Sequence, residues 1–119
     1  MQHIYVYQDL GASEFCVKSL MGCLRCVYKQ SQFKVETITA EEILNSKLTQ
    51  HEFALNSIML CMGGGFDKGY EQALGERGTE KIKDFVRRGG NYLGICAGAY
   101  FATDYVQFDL DGPLQVLGQ

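Results

Sequence analysis

Cys96 is the residue of this chain best placed to do chemistry. It stands in Gly94-Ile95-Cys96-Ala97-Gly98, directly after the strand-like Asn91-Tyr92-Leu93. A cysteine bracketed by glycines between a strand and a helix has the form of a nucleophile elbow, a sharp turn in which flanking side chains would collide with neighbouring backbone. The segment from Ala97 to Thr103 can begin a helix. The Cys96 sulfur would then lie near the positive end of that helix dipole, which favours thiolate over thiol. The same five residues also fit a buried cysteine in the glycine-rich turn of any α/β protein, so the surrounding elements must decide.

A second candidate is Gly63-Gly64-Gly65, at the end of a continuous apolar run. The backbone N–H groups of Gly64 and Gly65 can approach a carbonyl oxygen and, with the N–H of Ala97, form an oxyanion hole. An ordinary strand exit needing positive φ is the plainer account of the same glycines. Asp9, Asp67, Tyr70 and Tyr100 are expected near the same edge, where a carboxylate or phenol can orient a ligand or relay a proton. Asp9 also suits turn initiation before Leu10-Gly11, and Asp67 follows a glycine loop.

Cys23-Leu24-Arg25-Cys26 is a C-x-x-C pair, but it falls in the middle of an expected helix with no second ligand pair and no histidine nearby. Zinc sites need four placed ligands and redox pairs sit at helix starts, so both readings are rejected and no metal site is expected. Cys16, Cys23 and Cys61 are read as small core residues. Gly63-Gly64-Gly65 lacks the lysine and Ser/Thr of a phosphate loop, and no G-x-G-x-x-G follows the first strand. Nucleotide binding has no support, and no cofactor is expected.

The elements that must position these residues follow from the apolar pattern. Ile4-Tyr5-Val6-Tyr7 predicts a first strand ending at Asp9-Leu10-Gly11. Ser13 caps a helix from Glu14 to about Lys29, with Cys16, Leu20, Cys23 and Val27 on one face and Val17, Met21, Leu24 and Tyr28 widening it. Phe33 to Thr39 alternates as a second strand, followed by a short helix through Leu44. Ser57 to Met62 reads as a central parallel strand covered on both faces. A helix is expected from Glu76 to Arg88, with Ile82, Phe85 and Val86 buried and Gly89-Gly90 as its stop, and then a strand from Tyr92 to Ile95. Alternating strands and helices predict an α/β fold, a flavodoxin-like three-layer αβα arrangement with a mostly parallel sheet in the order 2-1-3-4. Ligands bind such sheets beyond the carboxyl ends of the strands, where the three loops meet.

Composition narrows the function classes. At 119 residues, 46% hydrophobic and 21% charged, the chain reads as one soluble domain spanning 1–119. A net charge of -3 with no basic run longer than Arg87-Arg88 argues against nucleic acid and anionic membranes as partners. The start lacks the features of a signal peptide, and the five cysteines form no regular framework. A reducing, cytoplasmic setting is expected.

Two stretches carry a family resemblance: Met62-Gly63-Gly64-Gly65-Phe66-Asp67, and Phe85-Val86-Arg87-Arg88-Gly89-Gly90-Asn91-Tyr92-Leu93-Gly94-Ile95-Cys96-Ala97-Gly98-Ala99-Tyr100. They resemble the N-terminal domain of fungal-type biotin-protein ligase and its stand-alone bacterial relatives, which is similar to class I glutamine amidotransferases. The resemblance runs from the first strand to the last residue. It departs at Gly63, where the family's pattern usually has proline, and in length, since such domains generally continue past Asp111-Gly112-Pro113-Leu114. The resemblance thus implies the front part of an amidotransferase-like domain, without a biotin-ligating catalytic domain. Tyr70 and Tyr100 owe their candidacy mainly to this match.

An amidotransferase thiol needs a histidine base oriented by a carboxylate. The chain has only His3 and His51, expected at the sheet edge opposite Cys96, and no histidine follows the elbow. Ala97 stands where PfpI-like hydrolases have histidine. The triad is incomplete. The sequence therefore favours a ligand- or partner-binding domain that is not independently catalytic. The alternative is a cysteine-dependent hydrolase or amidotransferase with Cys96 as nucleophile and a base from elsewhere. A stretch at Tyr105-Val106-Gln107-Phe108 is expected to pair as a further strand, in cis or with another copy, which makes a homodimer an expected partner state.

Overall fold

The computed structural model describes residues 2–29, 32–49, 57–103, 106–108 and 116–118. In chain order these form β1 (Gln2–Tyr7), α1 (Glu14–Val27), β2 (Phe33–Ile38), α2 (Ala40–Leu44), a 3-10 turn (Lys47–Thr49), β3 (Ser57–Met62), α3 (Asp67–Arg87), β4 (Asn91–Gly94), α4 (Ala97–Phe101), β5 (Val106–Phe108) and β6 (Val116–Gly118). The first four strands make one parallel sheet in the order β2-β1-β3-β4, as the sequence predicts. β1 runs in step with β2 from Gln2 against Phe33 to Tyr7 against Ile38, and β3 with β4 from Met59 against Asn91 to Met62 against Gly94. Between β1 and β3 the register shifts at His3 and Ile4.

Side chains alternate across the sheet with period two, and this sorts the core into two layers. Ile4, Val6 and Cys61 point to one face, where Val17, Met21 and Leu24 of α1 cover them. Tyr5, Tyr7, Leu60 and Met62 point to the other, under Ile43, Tyr70, Leu74, Ile82 and Phe85. β3 is central, and its Leu60, Cys61 and Met62 are fully buried. Burial pushes the Cys61 thiol up to about 12, as expected of an inert core cysteine.

The helix starts follow capping chemistry. The Ser13 hydroxyl accepts from the Cys16 N–H at 3.3 Å. Thr39 and Glu42 form a capping box, with Glu42 N donating to Thr39 Oγ1 at 3.2 Å and Thr39 N to Glu42 Oε1 at 3.0 Å. Lys47 closes on the same carboxylate at 2.6 Å.

The structure corrects three expectations. The buried face of α1 is Val17, Met21 and Leu24; Cys23 is exposed, as is Val27 at 73%, so Cys23 is not a core residue. The apolar count alone misphased the helix by about one residue. Val86 is 44% exposed and does not join Ile82 and Phe85 in the buried stripe. Finally, α3 begins at Asp67, well before Glu76, and its two helical parts, 67–74 and 76–87, meet at a break where Gly75 has φ 61° and ψ -166°. Gly69 hides the first part from the helical pattern. A Cβ there would stand 2.5 Å from the Gly11 Cα, so glycine is required by packing against the β1 loop.

Val106–Phe108 forms a strand, as expected, but it pairs antiparallel with β6 in a two-stranded sheet of its own and does not extend the four-stranded sheet; Tyr105 lies outside the described residues. Among the described residues no helix is long and apolar enough to cross a membrane.

Candidate functional site

Cys96 links β4 to α4 with φ 54° and ψ -112°, a backbone state that a non-glycine residue adopts only under constraint. The constraint is visible on both sides of it. Ile95 N donates to the Met62 carbonyl at 2.9 Å, and Gly98 N to the Gly63 carbonyl at 3.1 Å, so the turn is tied to the end of β3. A Cβ on Gly98 would overlap the Met62 carbonyl oxygen, and one on Gly94 would stand 2.7 Å from the Gly98 carbonyl oxygen. The two glycines of the motif are therefore demanded by close backbone approach, as their spacing predicts. The thiol itself is exposed.

The glycine loop after β3 forms the adjacent wall. It is stitched to the loop after β1 by Ser13 N donating to the Gly64 carbonyl at 3.0 Å and Phe66 N to the Gly11 carbonyl at 2.7 Å. Among the described residues, the N–H groups of Gly64, Gly65 and Ala97 make no bond to a backbone carbonyl in these loops. The loops after β1, β3 and β4 thus meet at the carboxyl edge of the sheet. Leu10, Phe66, Ile95 and Tyr100 are exposed large side chains on these segments.

The predicted side chains divide by role. Asp9 is engaged: its Oδ1 accepts from Leu10 N at 2.8 Å and its Oδ2 from Ala40 N at 3.0 Å, so it turns the chain and caps α2 across the sheet edge. Tyr70 is fully buried, and its hydroxyl donates to the Gly63 carbonyl at 2.8 Å, with a longer contact to Gly64 at 3.4 Å. Burial, followed by the negative fields of Cys16, Cys96 and Asp67, pushes its ionisation up to about 12. Tyr70 is therefore a protonated post under the glycine loop. Tyr100 is exposed on α4, where its N–H donates to the Cys96 carbonyl at 3.0 Å.

Asp67, the first residue of α3, is 4% exposed, and its Oδ2 is buried with no hydrogen-bond partner. A buried carboxylate oxygen without a donor is costly and calls for one, from a ligand or from water. Its position at a helix start offsets part of that cost. Two participants had no sequence signal. Cys16 is half-buried, with its Sγ 2.7 Å from where a Cβ on Gly64 would stand. Tyr92 donates its hydroxyl to the Gly98 carbonyl at 2.6 Å. Only the tertiary approach of α1 and α4 to these strand ends creates either contact.

His3 lies at the amino end of β1, where its Nδ1 is 2.7 Å from Glu36 Oε2. It does not reach the carboxyl edge, and His51 lies outside the described residues. Among the described residues no group of three or more His, Cys, Asp and Glu can hold a metal ion. A separate groove on the α3 side, lined by Glu71, Ile82, Lys83, Tyr92, Phe101 and Thr103, contains no thiol.

The chain is 35% identical over 118 residues to a biotin–protein ligase of Schizosaccharomyces pombe, covering 98% of this chain and 18% of that protein. It is 34% identical over 108 residues to an uncharacterized protein of Chlamydia muridarum, covering 91% of this chain and 40% of that one. The chain thus spans well under half the length of either relative. No solved structure matches it. The model of the family described as biotin-protein ligase, N terminal, matches residues 2–119, and the chain belongs to that family.

Proposed function

We propose that this chain is an amidotransferase-like domain that binds a small ligand or a protein partner in the crevice around Cys96 and does not hydrolyse substrate on its own. One observation carries this reading. A constrained, exposed thiol stands in a turn tied to the end of β3, yet the described histidine, His3, is committed to Glu36 at the opposite end of β1. Thiol hydrolysis needs a base within about 3 Å of the sulfur or one water away. Asp67 Oδ2 and the N–H groups of Gly64, Gly65 and Ala97 supply acceptor and donors for a bound group without any turnover. Asp9 serves the loop backbone and Tyr70 supports the glycines from beneath, while Tyr100 borders the opening.

The test is incubation of the purified chain with glutamine and, separately, with p-nitrophenyl acetate, alongside Cys96→Ser. Equal product release by both proteins is expected. Turnover abolished by Cys96→Ser would overturn the reading.

A second reading is favoured by the φ of 54° at Cys96, since such strain is commonly stored at reacting positions. In it, Cys96 is the nucleophile of a hydrolase or amidotransferase whose base comes from another segment or subunit. The two readings part on turnover once that segment or subunit is supplied: the second expects hydrolysis that Cys96→Ser abolishes, the first expects none. A second copy of the chain is one candidate partner, and light scattering across concentration reads it. A cytoplasmic setting suits the second reading, because a nucleophilic Cys96 must be reduced.

A further inference from the structure

Cys16 and the Cys96 turn both contact the end of β3. Cys16 belongs to α1, which follows β1, and its Sγ lies against Gly64 at 2.7 Å from a notional Cβ; any larger residue at 64 would displace it. Cys96 belongs to the turn after β4, which is bonded to Met62 and Gly63. β3 lies between β1 and β4, so its exit at Gly63 and Gly64 is the segment that both cysteine-bearing elements contact. The Tyr70 hydroxyl donates to the Gly63 and Gly64 carbonyls of that exit, and its ionisation, raised first by burial, is raised further by both cysteines. One thiol is exposed and the other half-buried. The remaining cysteines stand apart, with Cys23 and Cys26 exposed further along α1 and Cys61 in the core.

We infer that Cys96 and Cys16 are an attacking and a resolving thiol that exchange with small disulfides of the oxidised-glutathione class. The exposed Cys96 reacts first. Its thiolate attacks one sulfur of the small disulfide, the sulfur–sulfur bond of that molecule breaks, and one small thiolate leaves. The product is a mixed disulfide on Cys96. Cys16, having released its proton to water, then attacks the Cys96 Sγ, the bond to the ligand breaks, and the second small thiolate leaves. The net change is one small disulfide reduced to two thiols and one Cys16–Cys96 disulfide formed. The linked form joins α1 to the β4–α4 turn across the glycine loop, which closes the crevice. The inference concerns thiol exchange and stands whether or not the domain hydrolyses anything.

The experiment uses the full chain carrying Cys23→Ser and Cys26→Ser, treated with oxidised glutathione, acid-quenched and mapped by mass spectrometry. The expected product is a Cys16–Cys96 linked peptide with no lasting glutathione adduct. Adding Cys16→Ser should leave a stable glutathione adduct on Cys96. Adding Cys96→Ser should slow the loss of the Cys16 thiol about tenfold or more, because the half-buried sulfur is the poorer entry point. A disulfide spans Cα separations up to about 7 Å, so the linked peptide also measures how closely the two walls approach. The unsubstituted chain gives an independent reading by brief exposure and quantitative alkylation: Cys16 and Cys96 should become protected together. The proposal is overturned by a persistent adduct on Cys96 with Cys16 still open to alkylation, or by equal Cys16 loss rates with and without Cys96.

Discussion

The Tyr92 hydroxyl donates to the Gly98 carbonyl at 2.6 Å, strapping the last strand of the parallel sheet to the helix that follows Cys96. The ring of Tyr92 packs under the same turn, 2.8 Å from where a Cβ on Gly94 would stand. Burial holds the hydroxyl protonated well above the usual tyrosine range, so the strap stays a donor at any physiological pH. The cysteine turn thus has a side-chain support as well as its backbone bonds to β3.

Replacing Tyr92 by Phe removes that strap and leaves the Gly98 carbonyl with one bond fewer. A loss of about 1–2 kcal/mol is expected in urea unfolding, with an unchanged slope. Hydrogen exchange at Ala99 and Tyr100 should quicken more than at β1. Equal stability of the two proteins would show that water replaces the phenol without penalty.

Two glycine substitutions should move stability in opposite directions. Gly98→Ala drives a methyl group into the Met62 carbonyl oxygen and should cost about 3 kcal/mol or more, or abolish folding. Gly22→Ala meets nothing within 4 Å on α1 and should stabilise by about 0.5–1 kcal/mol. Thermal melts of both variants beside the parent check the pair.

Cys96→Gly should raise stability by about 1 kcal/mol, since glycine adopts φ 54° without a Cβ penalty. The same change removes the reactive thiol. A chain whose stability falls on this substitution would have a relaxed turn in place of a constrained one.

Alkaline pH should unfold the chain cooperatively. Burial raises the ionisation of Tyr7 and Tyr92 well above the ordinary value of 10.0, and that of Tyr70 to about 12. The unfolded chain releases these protons from about 10 upward while the folded chain retains them, so the stability they contribute is intact below that value. It is lost as pH rises toward the folded values. Tyrosinate absorbance and far-UV circular dichroism should therefore change together above pH 10, and Tyr70→Phe should flatten the dependence.

The sheet was legible because each strand is an apolar run with a turn signal at its end, and the order followed from the alternation with helices. The face of α1 was not, because Cys16, Cys23 and Val27 score as apolar while Val17, Met21 and Leu24 set the phase. The first part of α3 escaped notice because Gly69 serves a contact with Gly11 that no local pattern encodes. The Cys96 turn was readable for the converse reason: its two glycines and its position after a strand are local requirements. Asp9 reaching Ala40, Tyr92 reaching Gly98 and Cys16 facing Gly64 are set by chain segments meeting in three dimensions.

The bridge between Ala12 and Gly65 has a consequence for the order of assembly. It joins segments far apart in sequence, separated by α1, β2, α2 and β3, so closing it carries the entropy of a long loop and can follow only the docking of β3 on β1. The crevice should therefore be among the last parts of the molecule to appear during refolding. Protection of Cys16 or Cys96 in a refolding time course would mark arrival of the native topology itself.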